Sequence, residues 1–273
     1  MKKIKTINSL SGGKTSSYMA VHYPADHNVF SLVCIEADYC KPKDENLVRY
    51  VSDKIGREFI ATAESDKTLY LMRDLEQLLG QEIVWVAGPT FEEVIKKKKA
   101  LPNRMMRFCT TDMKMVPIFE YCRDVIGDIV RMRIGFRYDE SERADNQNTT
   151  IRAIVGKMDN GRNRWADVYW RELEFPLIEN KIFHGDVAKW ALSTDLVFPS
   201  DSNCVGCFWK QIQQLRKNWE DEPKKMRWFS EMEKNTGRKF QKDFTYDQAA
   251  NIGLQAEFNF GTGSGCQAGF CTD

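Results

Sequence analysis

A chain of 273 residues, 42% hydrophobic and 29% charged, has the make-up of a soluble globular protein and can bury a substantial core. Lys and Arg number 40 against 39 Asp and Glu, a formal net charge of +1 that neither demands nor excludes a nucleic-acid partner. The opening MKKIKTINSL lacks the apolar stretch of a secretion signal and no later run is long enough to span a bilayer, so the expectation is a cytoplasmic protein without a membrane partner.

In chain order, residues 4–9 read as a short strand and residues 16–21 as the first turns of a helix. Residues 29–36 form a nearly continuous apolar run, as buried parallel strands do. A helix is predicted over 45–55, with Leu47, Val48, Val51 and Ile55 along one side, then a short strand at 58–61 and a helix over 69–79. Residues 91–99 read as a helix ending in four lysines, and residues 114–125 as a helix with Pro117 in its first turn. A strand follows at 129–136. The polar stretch 139–165 reads as a mobile loop or a small insertion that closes over a substrate. Helices are expected at 184–192, 211–219 and 224–234, and the end, from residue 258, is glycine-rich. Strand and helix alternate at the spacing of βαβ units, which predicts an α/β fold with a mostly parallel sheet. The predicted division is a nucleotide-binding α/β domain over 1–200 and a helical, cysteine-containing extension over 201–273.

Ser11-Gly12-Gly13-Lys14-Thr15-Ser16 stands where the first strand hands over to the first helix. Glycines let the backbone approach a ligand closely, and successive amides at a helix N-terminus surround phosphate oxygens. Lys14 adds a mobile positive charge, and Ser11, Thr15 and Ser16 add hydroxyls. An ordinary capped turn is the plainer alternative, and the longer Walker pattern is absent. Glu36 and Asp38 end the next predicted strand, where one of them is a candidate Mg²⁺ ligand or, equally, a helix cap. Arg104, Arg107 and Lys114 cluster in RMMRFCTTDMKMVP. Arg131, Arg133 and Arg137 alternate along one strand and its end, so their shared face must meet carboxylates, a phosphate or water. Arg137, at the carboxyl end, is the best candidate for an anion contact.

Of the eight cysteines, Cys204 and Cys207 form a C-x-x-C pair and Cys266 and Cys271 lie in the tail. Together with Cys109 they read as a zinc or iron–sulfur site, as a redox or sulfur-carrying dithiol, or as incidental thiols. Cys34 and Cys122 read as core, and Cys40 stays undecided. The three histidines show no ligand spacing.

SGGKTS resembles the PP-loop of the adenine nucleotide alpha-hydrolase superfamily, which includes N-type ATP pyrophosphatases and phosphoadenosine phosphosulfate (PAPS) reductases. RFCTTDMKMVP is similar to the R-x-C-x-x-x-K-x-x-P segment of the reductase branch and of related DNA phosphorothioation enzymes. IGFRYDE and NCVGCFWK look like later blocks of the small PAPS-reductase-like proteins often carried by phages, which would place the protein in a host cytoplasm. The resemblance implies a mostly parallel five-stranded sheet flanked by helices, with ATP or a sulfonucleotide on the loop. It implies that residues 11–16 hold phosphate and that Arg107, Lys114 and Arg137 assist. It further implies a [4Fe-4S] cluster, or Zn²⁺ in its place, on Cys109, Cys204 and Cys207, with Cys271 or Cys266 as the remaining ligand because Phe108 stands where a second cysteine of the middle segment belongs. Thr15 replaces the acidic residue usual in ATP pyrophosphatases.

Three activities are compatible with these residues. The first is ATP cleavage between the α and β phosphates, with Lys14, Lys114 and Arg137 catalytic. It adenylates an acceptor for sulfur transfer or a related modification, with a nucleobase or nucleic acid as acceptor and a cysteine desulfurase as partner. The second is reduction of a sulfonucleotide with release of sulfite, in which Cys271 is a tail nucleophile and a thiol reductant is the partner. The third is a metal-stabilised nucleotide-binding adaptor without catalysis. A homo-oligomer is compatible with each.

Overall fold

The computed structural model describes residues 3–253. Cys266 and Cys271, expected in the metal site and as the tail nucleophile, lie outside the described residues. Five strands make the central sheet: β1 (Thr6–Leu10), β2 (His27–Leu32), β5 (Ile83–Ala87), β6 (Val130–Arg133) and β9 (Arg171–Glu174). Their spatial order is β5-β2-β1-β6-β9, and all four pairings are parallel. Between them run α1 (Lys14–His22), α2 (Glu45–Ile55), α3 (Asp66–Leu79) and α4 (Phe91–Lys98). A composite helix precedes β6, made of α5 (Phe108–Thr110), a π-helical turn over Thr111–Met115, α6 (Val116–Tyr121) and a second π turn over Cys122–Ile126.

Both faces of the sheet are covered, as a parallel sheet requires. Val29 and Phe30, on opposite faces of β2, join different cores. Phe30 packs with Leu10, Val51, Leu69 and Met72, and Val29 with Ile7, Phe119 and Met132. A third core joins β3 (Cys34–Ile35) and β4 (Ala61–Thr62) to the C-terminal helices α10 (Ile212–Asp221), α11 (Pro223–Thr236) and α12 (Tyr246–Ala250). Cys34, Cys40 and Cys122 are all buried in these cores. Among the described residues no helix is long and apolar enough to cross a membrane.

Several expectations need correction. The apolar run predicted as one strand over 29–36 changes partners at Val33: β2 ends at Leu32, and β3 pairs antiparallel with β4 in a separate small sheet. The short strand placed at 58–61 therefore lies outside the central sheet. Its place at the edge is taken by β5, which sequence patterning did not single out, and the opposite edge is the charged strand β9. The polar stretch after Arg137 is ordered as a 3₁₀ turn (Tyr138–Glu140), α7 (Ser141–Asp145) and an antiparallel hairpin of β7 (Thr150–Lys157) and β8 (Asn163–Tyr169). Then come α8 (Pro176–Glu179) and α9 (His184–Leu192).

The chain steps outward from β1 through β2 to β5, then returns to the other side of β1 as β6. The direction of winding reverses between β1 and β6, and in open parallel sheets a crevice forms outside the carboxyl ends of strands at such a point. The glycine loop leaves β1 there, and Arg137 follows β6.

Candidate functional site

Ser11-Gly12-Gly13 is the whole connection between β1 and α1. Gly12 has φ +77°, and a Cβ on it would lie 2.3 Å from Thr68 Cγ2. Gly13 is extended at φ −116° and ψ 171°, so space rather than conformation demands it: a Cβ would lie 2.8 Å from that of Ser202. The turn ties itself together through hydroxyls. Ser16 Oγ accepts from the Ser11 N–H at 3.1 Å and lies 3.0 Å from Ser11 Oγ, while Ser17 Oγ donates to the Gly13 carbonyl at 2.9 Å. Ser16 is fully buried, so its hydroxyl builds the loop and does not face solvent.

No side chain caps α1, whereas Asp44, Ser65 and Thr90 cap α2, α3 and α4. The amides of its first turn and the positive end of its dipole are left for an acceptor from outside the chain. Lys14, partly buried, opens this helix. Thr15 Oγ1 accepts from Arg137 Nη1 at 2.9 Å. Arg137 also pairs with Asp139 at 3.3 Å and Glu140 at 3.2 Å, and Glu140 in turn pairs with Arg143, whose guanidinium stacks 4.4 Å from the Phe136 ring. Arg137 thus reaches the predicted loop with its charge already balanced.

The other arginines of β6 have a plainer role. Arg131 pairs with Glu172 and Glu174, each at 3.2 Å, and Arg133 with Glu174 at 2.9 Å. Their shared face meets the carboxylates of β9. Glu36 and Asp38 also leave the predicted place, because β2 stops at Leu32. Glu36 accepts from Thr90 Oγ1 at 2.7 Å, a contact at the start of α4, and Asp38 is exposed in a 3₁₀ turn.

A pocket of about 450 Å³, counted out to its open mouth, is lined by Arg107, Cys109, Lys114, Cys204, Cys207 and Trp209 among others. Cys109 and Lys114 come from α5 and the first π turn, and such turns often mark functional sites. Cys204 and Cys207 close a tight turn through the Cys207 N–H, which donates to the Cys204 carbonyl at 3.0 Å. Gly206 between them serves close packing: a Cβ there would lie 2.3 Å from the Phe229 ring. Lys210, 1% exposed, clamps the turn by pairing with Asp201 at 2.9 Å and donating to the Val205 carbonyl at 3.1 Å.

Burial pushes the Cys109 thiol up to about 11, and it raises those of Cys204 and Cys207 as well. All three are therefore neutral thiols near neutral pH. Arg107 pairs with no carboxylate among the described residues. Burial lowers its pKa, and its guanidinium lies 5.5 Å from the Trp209 ring, as does that of Arg104. Lys114 pairs at 2.9 Å with Glu64, which is 0% exposed and whose second oxygen is buried without a hydrogen bond.

The loop and the pocket meet. Ser202, against which Gly13 packs, stands two residues before Cys204, and Val205 donates to the Ala63 carbonyl at 2.8 Å on the strand end that leads to Glu64. The structure thus brings together residues 11–15, Arg137, Arg107, Lys114 and three of the predicted thiols. It adds Glu64, Thr68, Ser202 and Trp209, which sequence reasoning missed. The soft thiol donors suit zinc or an iron–sulfur cluster. However, no group of three or more His, Cys, Asp or Glu among the described residues is arranged to hold a metal ion. The donor set matches in kind and falls short in number. Comparison of the chain with protein-family models, with curated proteins and with solved structures finds no match.

Proposed function

We propose that this chain is an ATP pyrophosphatase-type enzyme that adenylates an acceptor in preparation for sulfur transfer. The observation that carries the reading is the contact between Gly13 and Ser202, which sets an uncapped helix N-terminus against the turn that bears Cys204 and Cys207. A phosphate cradle with no neighbouring thiols would support a simple nucleotide-binding role, and thiols alone a structural one. Their junction supports coupled chemistry.

In this mechanism the amides of residues 12–16 and the Lys14 ammonium hold the triphosphate of ATP, as helix N-termini hold anions. Arg137, fixed between Thr15 and Glu140, supplies preorganised donors at the crevice. An acceptor oxygen attacks the α phosphorus, the bond from that phosphorus to the oxygen bridging the β phosphate breaks, and pyrophosphate leaves. The residual adenylate makes AMP the next leaving group, and a sulfur nucleophile displaces it. Lys114 and Arg107 face this step from the thiol pocket. Cys109, Cys204 and Cys207, with Cys271 or Cys266, would hold a [4Fe-4S] cluster or Zn²⁺, which when bound offers a Lewis-acidic metal for sulfur. Reduction of a sulfonucleotide is a second reading, favoured by the unpaired Arg107 beside two thiols.

The test is product analysis with anaerobically prepared protein. Adenylation predicts pyrophosphate and AMP in equal amounts when the acceptor is present, and loss of both in Lys14→Ala. Sulfite from PAPS or its non-phosphorylated relative, with ATP left intact, would transfer the assignment to the reductase reading.

A further inference from the structure

The β7–β8 hairpin lies outside the central sheet, and its two faces differ. Ile151, Ala153 and Val168 point inward and pack on the core that contains Phe119 and Trp170. The cross-strand pairs Thr150–Tyr169, Arg152–Asp167 and Ile154–Trp165 make up the other face. There Trp165 is 51% exposed, Tyr169 48% and Ile154 47%. Large rings held on a rigid ribbon and left in water mark an interaction surface more strongly than scattered apolar residues do.

The charge on the hairpin selects the partner. Between residues 150 and 169 stand Arg152, Lys157, Arg162 and Arg164 against Asp159 and Asp167. None of the four cationic side chains has an ion pair among the described residues. Elsewhere Arg131, Arg133, Arg137 and Arg143 are all matched to carboxylates. Lys157, opposite Asn163, shares the face of the rings, whereas Arg164 alternates onto the other face. Exposed rings interleaved with unmatched cations suit a chain of stacked bases joined by phosphates. A peptide partner would need apolar pockets or a run of acidic residues, and a second copy of this surface would set like charges together.

We infer that the β7–β8 hairpin is an arm that binds single-stranded nucleic acid, with Trp165 and Tyr169 stacking on bases and Arg152 and Lys157 contacting phosphates. The inference rests on the adenylation reading only in naming the acceptor class. The arm begins just after α7, whose Arg143 joins Glu140 and Arg137 to the glycine loop. A strand held on the arm is thereby tethered to the segment that reaches the nucleotide cradle.

The experiment is fluorescence anisotropy with the full-length protein and labelled single-stranded DNA and RNA probes of roughly 16 nucleotides, near the upper site size of such modules. Trp165→Ala should weaken binding about tenfold, and Trp165→Ala with Tyr169→Ala about a hundredfold. Both variants should keep the wild-type thermal midpoint. Arg152→Gln with Lys157→Gln should lower the slope of log affinity against log salt by about 1.4, or 0.7 for each phosphate left without its cation. Preference between the DNA and RNA probes tells which strand is the natural one. Equal affinity for wild type and ring variants overturns the inference. So does a dimer that Trp165→Ala dissolves without any oligonucleotide binding, which assigns the arm to a second copy. Lys14→Ala should bind the probes as wild type does. If the ring variants lose the probes while wild-type protein never consumes ATP, the arm stands and the adenylation reading falls.

Discussion

The glycine loop and the thiol pocket touch at Gly13 and Ser202, yet they are held by different physics. The loop is a local structure of seven residues, closed by neutral hydrogen bonds among Ser11, Gly13, Ser16 and Ser17. The pocket is assembled from distant segments and is braced by ion pairs with one buried member each: Glu64 with Lys114, Lys210 with Asp201, and Lys225 with Asp66. The loop leaves the first amides of α1 without a side-chain cap. The pocket holds neutral thiols that become ligands or nucleophiles only when something removes their protons.

The largest effect should come from the braces of the pocket. Glu64→Ala removes a fully buried carboxylate from its pair with Lys114 and should lower unfolding stability by about 3 kcal/mol in a urea titration, with Glu64→Gln milder. A change too small to resolve would mean that the pocket does not depend on this pair. Next in size is thiol reactivity. A raised thiol pKa favours the protonated form, so at pH 8 Cys109, at about 11 against the usual 9.0, should hold about a hundredfold less thiolate than an ordinary cysteine. Alkylation of metal-free protein, followed by mass spectrometry, should find it slow until the pH nears that value, and fast labelling would show the pocket open. Gly12→Ala adds both strain at positive φ and a clash with Thr68, for about 2 kcal/mol of lost stability. Gly13→Ala should cost less, and Ser202→Gly should restore it if the loop and the pocket are coupled where they touch. The smallest expected effect is in binding: Lys14→Ala should weaken ATP about tenfold by calorimetry while the unfolding midpoint stays fixed.

What was legible in the sequence follows the same divide. Strand, glycines and helix start stand within a dozen residues, so local chemistry was enough to find the loop, and α2 and α9 begin and end where their periodicity predicts. The C-x-x-C pair was legible as a pair, but nothing local links residue 13 to residue 202 or identifies Glu64 as the partner of Lys114. The arginines of β6 were seen to share a face, yet their carboxylates lie on β9, whose Arg-Glu-Leu-Glu reads as surface because it is an edge strand. The hairpin was hidden because its outer face and tip are wet, which blurs the alternation that marks a half-buried strand. The glycine of the C-x-x-C turn lets Phe229 approach, a long-range contact that nothing local in the sequence reveals.

The central claim is that the nucleotide cradle opens toward the thiols. Its most direct test is an anaerobic crystal structure with a non-hydrolysable ATP analogue. The prediction is a triphosphate on the amides of residues 12–16, with its α phosphate between Arg137 and the turn that carries Cys204. A nucleotide bound elsewhere, with the glycine loop closed by its own side chains, would contradict it.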